Sequence, residues 1–346
     1  MFIVVLFWFL IFFTIPLEKT ALPELLSDAS FTSINEEEFF FYGPTMGTTY
    51  EIKIISSAFS KNKIKIIEAG IDSILFSINN SMSTYIDSSE ISLINKNRTK
   101  DKIKVSSNFY YVLQKSIEYN NLTENSFDPT IKPLLEIWGF RGKEVLERPN
   151  PNLIKNTLEY VGSDKLLLYN DNYIKKTHPM VSLDFGGIAK GYAVDQISNY
   201  LKELGYNKHS VDIGGEMVCK GKDWKIGVAY PEFNSSKIYK RIKLSNHGVA
   251  TSGTYNQSLS IDDFEYSHIF DPKLGEPSKN NVISVTVISK SCIYSDGLST
   301  SLKVLGKDKG LNLINDLEGV ECMFIVKENG EFRNYLSDNF SDFFID

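Results

Sequence analysis

Residues 183–215 read LDFGGIAKGYAVDQISNYLKELGYNKHSVDIGG. Ile188, Tyr192, Ile197, Tyr200, Leu201 and Leu204 fall on one stripe at helical spacing, which predicts a helix over Ile188–Leu204. Gly205 stands where a C′ glycine ends a helix. Val211-Asp212-Ile213 then reads as a strand. Ahead of the helix, Gly186 and Gly187 lead into a first turn that contains Lys190. Helix N-termini present free N–H groups and a positive dipole end, which suits a phosphate, and Lys190 would add a charge-assisted contact. The pattern is neither the Walker motif nor G-x-G-x-x-G. A strand-to-helix turn that needs glycine for tight packing explains the same residues equally well.

Outward from this stretch the two periods recur. Thr49–Ile55 alternates and is β-branched, a strand, while Asn62–Asn79 brings Ile64, Ile66, Ile67, Ile71, Ile74, Leu75 and Ile78 into an amphipathic helix. Asn108–Glu118 is expected to be a helix. Residues 141–180 are expected to be a loop, a short helix and strands. Trp224–Val228, Val282–Ile288 and Cys322–Val326 read as strands, and Asp296–Leu305 as a helix stopped by Gly306. Helices and strands are interspersed without strict βαβ alternation, and several strand pairs are close in sequence. Antiparallel pairing and an α+β fold follow.

Composition narrows the function classes. At about 150 residues per domain, 346 residues give two domains or one large domain with lobes. Apolar residues at 42% and charged residues at 23% exclude a disordered or collagen-like chain. A net charge of −6 carries no electrostatic footprint for nucleic acid. Aromatics at 13% allow a stacking site for a planar ligand. Three cysteines (Cys219, Cys292, Cys322) without CxxC spacing exclude a disulfide framework or zinc cluster. The histidines His178, His209, His247 and His268 form no HExxH pair, so any metal is expected to be a hard cation on oxygen ligands.

Met1–Leu17 reads MFIVVLFWFLIFFTIPL, with no charge before Glu18. As a helix it spans roughly 25 Å, a little short of a ~30 Å hydrocarbon core, yet it is long for the apolar region of a signal peptide. Residues 1–17 are expected to be a signal peptide or an N-terminal membrane anchor. No cysteine follows, which excludes a lipoprotein anchor. Residues 18–40 read as a polar linker ending in the acidic run Glu36-Glu37-Glu38, and 41–346 as the functional domain. That domain is expected to work outside the cytoplasmic membrane.

Four further stretches hold chemically capable residues. Asp296 and Thr300 are one helical turn apart, so a carboxylate and a hydroxyl on one face could coordinate Mg²⁺. An acid that stabilises the helix dipole, with a threonine bonding back to the helix, is the plainer reading. In Tyr266-Ser267-His268-Ile269-Phe270-Asp271-Pro272, His268 could shuttle a proton or simply be satisfied at a strand end. Phe127-Asp128-Pro129-Thr130, with Trp138-Gly139-Phe140 after it, reads as a buried turn among aromatics. Gly43-Pro44-Thr45-Met46-Gly47-Thr48-Thr49-Tyr50 is a glycine-punctuated entry into a strand.

In their order and spacing these blocks resemble the FAD:protein FMN transferase (ApbE) family over roughly Thr45 to Val326. The resemblance is carried by Met46–Tyr50, Ser83-Thr84-Tyr85 with Ser88–Ile91 and Asn95, Phe127–Thr130, Trp138–Phe140, Leu183-Asp184 and Lys190–Asp195. It continues through Ile213–Glu216, Ala250–Gly253, Ser267–Ile269 with Asp271, Pro272 and Gly275, and Asp296–Thr300. The resemblance implies mixed, largely antiparallel sheets with packed helices, in two lobes around a flavin-binding cleft. It implies an exported enzyme at the periplasmic face of the inner membrane, anchored or released. Such enzymes bind FAD and Mg²⁺, move FMN onto a threonine hydroxyl of a target protein and release AMP. Typical acceptors are flavoprotein subunits of membrane redox complexes. On matching positions Met46, Tyr85, Ser126, Phe127, Asp128, Asp184, Lys190 and Phe270 would contact FAD. Asp296 and Thr300 would hold Mg²⁺ through side chains and Gly187 through its carbonyl, and His268 matches the proton-transfer residue.

This chain departs from the family pattern at Gly187, Ser295 and Gly297, where alanines are usual. The family's hydrolytic members carry an asparagine where Tyr85 stands, so Tyr85 points to transfer. Two rivals are a Mg²⁺-dependent FAD pyrophosphatase that yields FMN and AMP, and a non-catalytic exported flavin carrier.

Overall fold

The computed structural model describes residues 36–345 apart from 58–59, 143–144, 233–236, 255–257 and 262–263. The expected signal or anchor at 1–17 lies outside the described residues. Among these, no helix is long and apolar enough to cross a membrane.

The chain opens with β1 (Glu37–Thr45), β2 (Thr48–Ser56), α1 (Lys61–Met82), α2 (Glu90–Lys96), β3 (Ile103–Lys104) and α3 (Ser107–Leu122). There follow α4 (Lys132–Ile137), α5 (Pro151–Leu158), β4 (Leu166–Tyr169), β5 (Tyr173–Lys176), α6 (Ala189–Glu203), β6 (His209–Ile213) and β7 (Glu216–Lys220). Next come β8 (Trp224–Ala229), β9 (Ile238–Leu244), β10 (His247–Gly253), β11 (Ser258–Ile261), β12 (Phe264–Ser267), β13 (Phe270–Asp271) and β14 (Glu276–Pro277). The chain closes with β15 (Val282–Ser289), α7 (Cys292–Leu305), α8 (Lys307–Asn315), β16 (Glu321–Glu328) and β17 (Glu331–Leu336). The first strand thus begins inside the stretch read as linker.

Local chemistry sets the element ends. Ser60, Ser89 and Ser106 each stand at an N-cap and accept a backbone N–H three residues on, starting α1, α2 and α3. At the end of α6, the Gly205 N–H donates to Lys202 and the Tyr206 N–H to Leu201, with Gly205 at φ +88. That is a Schellman ending at the expected glycine. Met46 and Gly47 both have positive φ (50° and 75°), which suits the two-residue turn between β1 and β2.

Eight strands form one sheet in the order β1-β2-β6-β7-β10-β15-β16-β17, each neighbouring pair antiparallel. Helices cover one face. Ile54, Val211 and Val218 join the core under α1 and α6, and Val285, Val287, Cys322 and Phe324 join the core with α7. The opposite face is covered too: Ile55, Cys219, Ile288, Met323 and Ile325 pack with Trp224 and Val228 of β8 and Ile242 and Leu244 of β9. Burial on both sides is why β15 and β16 read as nearly continuous apolar runs. A smaller lobe of α4, α5 and β11–β14 has its own cluster, with Leu134, Trp138, Ile154, Ile261 and Phe270 inside. The fold is α+β with antiparallel sheets, as expected.

Register brings several motifs to one end of the large sheet. Thr45 faces Thr48 across the first turn, Tyr50 faces Ile213, and Ile213 faces Glu216 across the Gly214-Gly215 turn. Val249 faces Met217, so Thr251 and Ser252 extend past Glu216 at that end.

Candidate active site

Helix α7 begins at Cys292, four residues earlier than the sequence suggested, so Asp296 lies in its second turn. The helix-dipole role comes from elsewhere. Both oxygens of Asp195, on α6, accept the Cys292 and Ile293 N–H groups at 2.9 Å. Asp296 instead faces α6, and its Oδ2 accepts the Gly191 N–H at 2.8 Å. A Cβ on Gly191 would stand 2.5 Å from the Cys292 carbonyl oxygen and 2.7 Å from the Asp296 Cβ, so only glycine lets the helices approach this closely.

One turn beyond Asp296, Thr300 closes on the Gly186-Gly187 turn. A Cβ on Gly187 would meet Thr300 Oγ1 at 3.0 Å and Phe127 Cε2 at 3.2 Å. The Ser252 hydroxyl of β10 lies 3.1 Å from Thr300 Oγ1 and 2.8 Å from Ser299 Oγ. Asp296, Thr300, Gly187, Phe127 and Lys190 therefore come together. Lys190 is paired with Glu216, which follows the Gly214-Gly215 turn.

The charges here are unbalanced. Asp296 and Glu216 are 2% and 4% exposed, and one ammonium serves both. Burial, and then Asp296, push the Glu216 carboxyl well above the usual carboxylate range, against the pull of Lys190. Burial likewise raises Asp296, opposed by Lys190 and the Gly191 N–H. Burial works against the charge of Lys190, yet Glu216 and then Asp296 outweigh it and raise its pKa. The cluster holds protons more tightly than its isolated members, and a bound cation would relieve the same excess of negative charge. A carboxylate, a hydroxyl and a backbone carbonyl are oxygen donors that fit a hard cation sharing ligands with a phosphate. Among the described residues no group of three His, Cys, Asp or Glu side chains could hold a metal.

The other expected residues surround this centre. Asp184 is buried; its Oδ1 accepts the Gly186 N–H at 2.7 Å and its Oδ2 the Arg141 Nε–H at 2.9 Å. Tyr85 is 78% exposed beneath the Arg141 guanidinium. Met46 lines a cavity of about 540 Å³ with Thr48, Tyr50, Asp72, Phe76 and Asn79. Ser126 and Phe127 are buried, and the Phe127 ring meets Tyr119 edge-on at 6.3 Å. Asp128 is fully engaged: Oδ1 accepts the Thr130 N–H at 2.8 Å and hydroxyl at 2.6 Å, and Oδ2 accepts the Ser163 N–H at 3.0 Å. It also borders a second cavity, about 520 Å³, with Pro272 and Lys273 on the far wall. Phe270 packs edge-on against Trp138 and Phe140 in the smaller lobe, and His268 stands half-buried two residues before it.

Residues 46–324 match the sequence profile of the ApbE family. The chain belongs to this family. It is 34% identical to the FAD:protein FMN transferase of Vibrio cholerae over 317 residues, covering 89% of this chain and 93% of that one. It is 33% identical to the enzyme of that name from Haemophilus influenzae, covering 83% and 86% of the two chains. The solved flavin transferase ApbE from Vibrio cholerae superposes with a TM-score of 0.80, at 34% identity over 89% of this chain and all of that one. An ApbE protein from Thermotoga maritima gives the same TM-score at 27% identity, over 90% of this chain and all of that one.

Three members of this ApbE site escaped the sequence reading. Glu216 was visible as the acid after two glycines, but nothing in the sequence joined it to Lys190. Asp195 lies in the Lys190–Asp195 run, where nothing local marks it as the cap of another helix. Arg141 follows Trp138-Gly139-Phe140 directly, and its partner Asp184 is 43 residues away.

Proposed function

We propose that this chain is a FAD:protein FMN transferase that uses Mg²⁺ and acts on a threonine hydroxyl of a target flavoprotein. The reading is carried by one observation: Asp296, Thr300 and the Gly187 backbone meet beside the ion pair of half-buried Lys190 with buried Glu216. The relatives that match most of the chain bear the transferase name. The acceptor threonine Oγ attacks the FMN-side phosphorus of FAD, a new phosphoester bond forms, and the bond to the departing phosphate breaks, freeing AMP. The threonine proton passes to a base, a role we assign to His268. Mg²⁺ held by Asp296, Thr300 and the Gly187 carbonyl would offset charge on the diphosphate. The chain's own part is to keep that region dry and ordered. Glu216 fixes the Lys190 ammonium beside it, Ser252 orients Thr300, and Asp184 braces the Gly186-Gly187 turn. Tyr85 supports transfer over hydrolysis, since the family's hydrolytic members carry an asparagine at this position.

We place the enzyme outside the cytoplasmic membrane, at its periplasmic face, with Met1–Leu17 as signal or anchor. Its acceptors are then flavoprotein subunits of membrane redox complexes. The test is AMP release from FAD with and without Mg²⁺. Asp296→Asn keeps an acceptor for the Gly191 N–H, so it is expected to retain the wild-type melting temperature while losing Mg²⁺-dependent AMP release. Wild-type turnover in that variant would sink the metal assignment.

A further inference from the structure

Arg141 has no part in the scheme above, yet it touches three of its members. Its Nε donates to Asp184 Oδ2 at 2.9 Å, and its Nη1 to the Phe140 carbonyl oxygen at 3.0 Å. Its guanidinium carbon stands 5.2 Å from the centroid of the Tyr85 ring. A Cβ on Gly186 would stand 3.2 Å from Nη2, so the guanidinium also abuts the turn that leads into Gly187. The ion pair is shielded, with side-chain exposures of 16% for Arg141 and 5% for Asp184, whereas the Tyr85 ring projects into solvent. Burial works against the charge of Arg141, and Asp184 and then Tyr85 outweigh it.

A planar guanidinium can bond a carboxylate through its edge while its face covers an aromatic ring. A lysine ammonium, a single point of charge, can meet the carboxylate or the ring but cannot do both at once. We infer that Arg141 is a positioning residue for the transfer reaction, holding the Tyr85 ring at the mouth of the site and the Asp184 carboxylate against the Gly186-Gly187 turn. This rests on the FAD-transfer reading. With Tyr85 tethered, water is kept from the phosphorus that the acceptor hydroxyl must reach. With it loose, water competes and part of the FMN leaves free.

The test compares wild type with Arg141→Lys, Arg141→Gln, Tyr85→Ala and the Arg141→Gln/Tyr85→Ala double variant. FAD, Mg²⁺ and a flavoprotein acceptor domain are supplied, and free and acceptor-bound FMN are counted separately. Arg141→Lys is expected to raise the free share several-fold, and to raise the KM for FAD more than it lowers kcat. Arg141→Gln is expected to raise that KM about tenfold. Its effect on the product split should vanish once Tyr85 is alanine, because the two residues act as a unit. A wild-type product split and KM in Arg141→Lys, or fully additive effects in the double variant, would overturn the inference. Should Arg141→Gln fail to fold, as its circular dichroism would show, Arg141→Lys decides. Failure of the underlying reading looks different, for wild type itself would then leave the acceptor unmodified.

Discussion

A Cβ placed on Gly297 would stand 2.3 Å from Cδ2 and 2.5 Å from Cε2 of Tyr119. Tyr119 is 2% exposed and wedged between Phe127 and Tyr294, with little room to withdraw. The family's usual alanine is therefore excluded by the tyrosine that fills the space. Gly297→Ala is expected to destabilise by roughly 1–3 kcal/mol, read as a lower denaturant midpoint. Adding Tyr119→Leu should recover part of the loss, and no recovery would mean that the ring is not the obstacle. The neighbouring departure, Ser295, is explained as well, since its hydroxyl bonds the Gly248 carbonyl oxygen at 3.2 Å and meets Ser289 Oγ at 2.8 Å. What was legible at this scale was residue type in order: Asp296, Thr300, Lys190 and Gly187 were named from the sequence and the fold gathers them. Partnership was not legible. Asp296 meets Gly191 across 105 residues, and no local pattern encodes such a contact.

Helix α7 shows why element ends are harder to read than elements. Ser291 stands at its N-cap without a side-chain hydrogen bond, and the opening Cys292-Ile293-Tyr294 carries no starting signal. The cap is Asp195, supplied by α6. Asp195→Ala is expected to cost about 2 kcal/mol, since it strips two N–H groups of a partly buried acceptor, and to slow turnover by shifting α7 against α6. Unchanged stability in that variant would show that the cap is not used. At the other end Lys303 is fully buried, and its Nζ donates to Asn280 Oδ1 at 3.0 Å. Burial lowers its pKa to about 8. Between about pH 8 and the unfolded value near 10.4, the unfolded chain binds the extra proton. Wild-type stability from this residue should thus rise with pH across that window, by up to about 3 kcal/mol. Lys303→Met should remove the slope and be the more stable protein at pH 7, because Asn280 Oδ1 still accepts the Val282 N–H. A persisting slope in the variant would place its origin elsewhere.

Across the whole molecule, antiparallel pairing was readable because hairpin partners sit near each other in sequence, as β1 does with β2 and β6 with β7. The breadth of the sheet was not. The large sheet is covered by helices on one face and by β8, β9 and the C-terminal Phe340 on the other, so its central strands lose the alternation that marks a face. The smaller lobe, with two-residue strands such as β13, gives almost no periodic signal. What the large sheet achieves is convergence. Two turns, one strand end and one helix start meet at one end of the sheet, and that meeting supports the transfer reading. The most direct test is the intact mass of a threonine-containing flavoprotein acceptor after incubation with the purified protein, FAD and Mg²⁺, with released nucleotides counted alongside. The account predicts an acceptor heavier by one FMN-phosphoryl unit and an equal amount of AMP. An unmodified acceptor with free FMN and AMP would make the protein a pyrophosphatase, and intact FAD would contradict the catalytic claim itself.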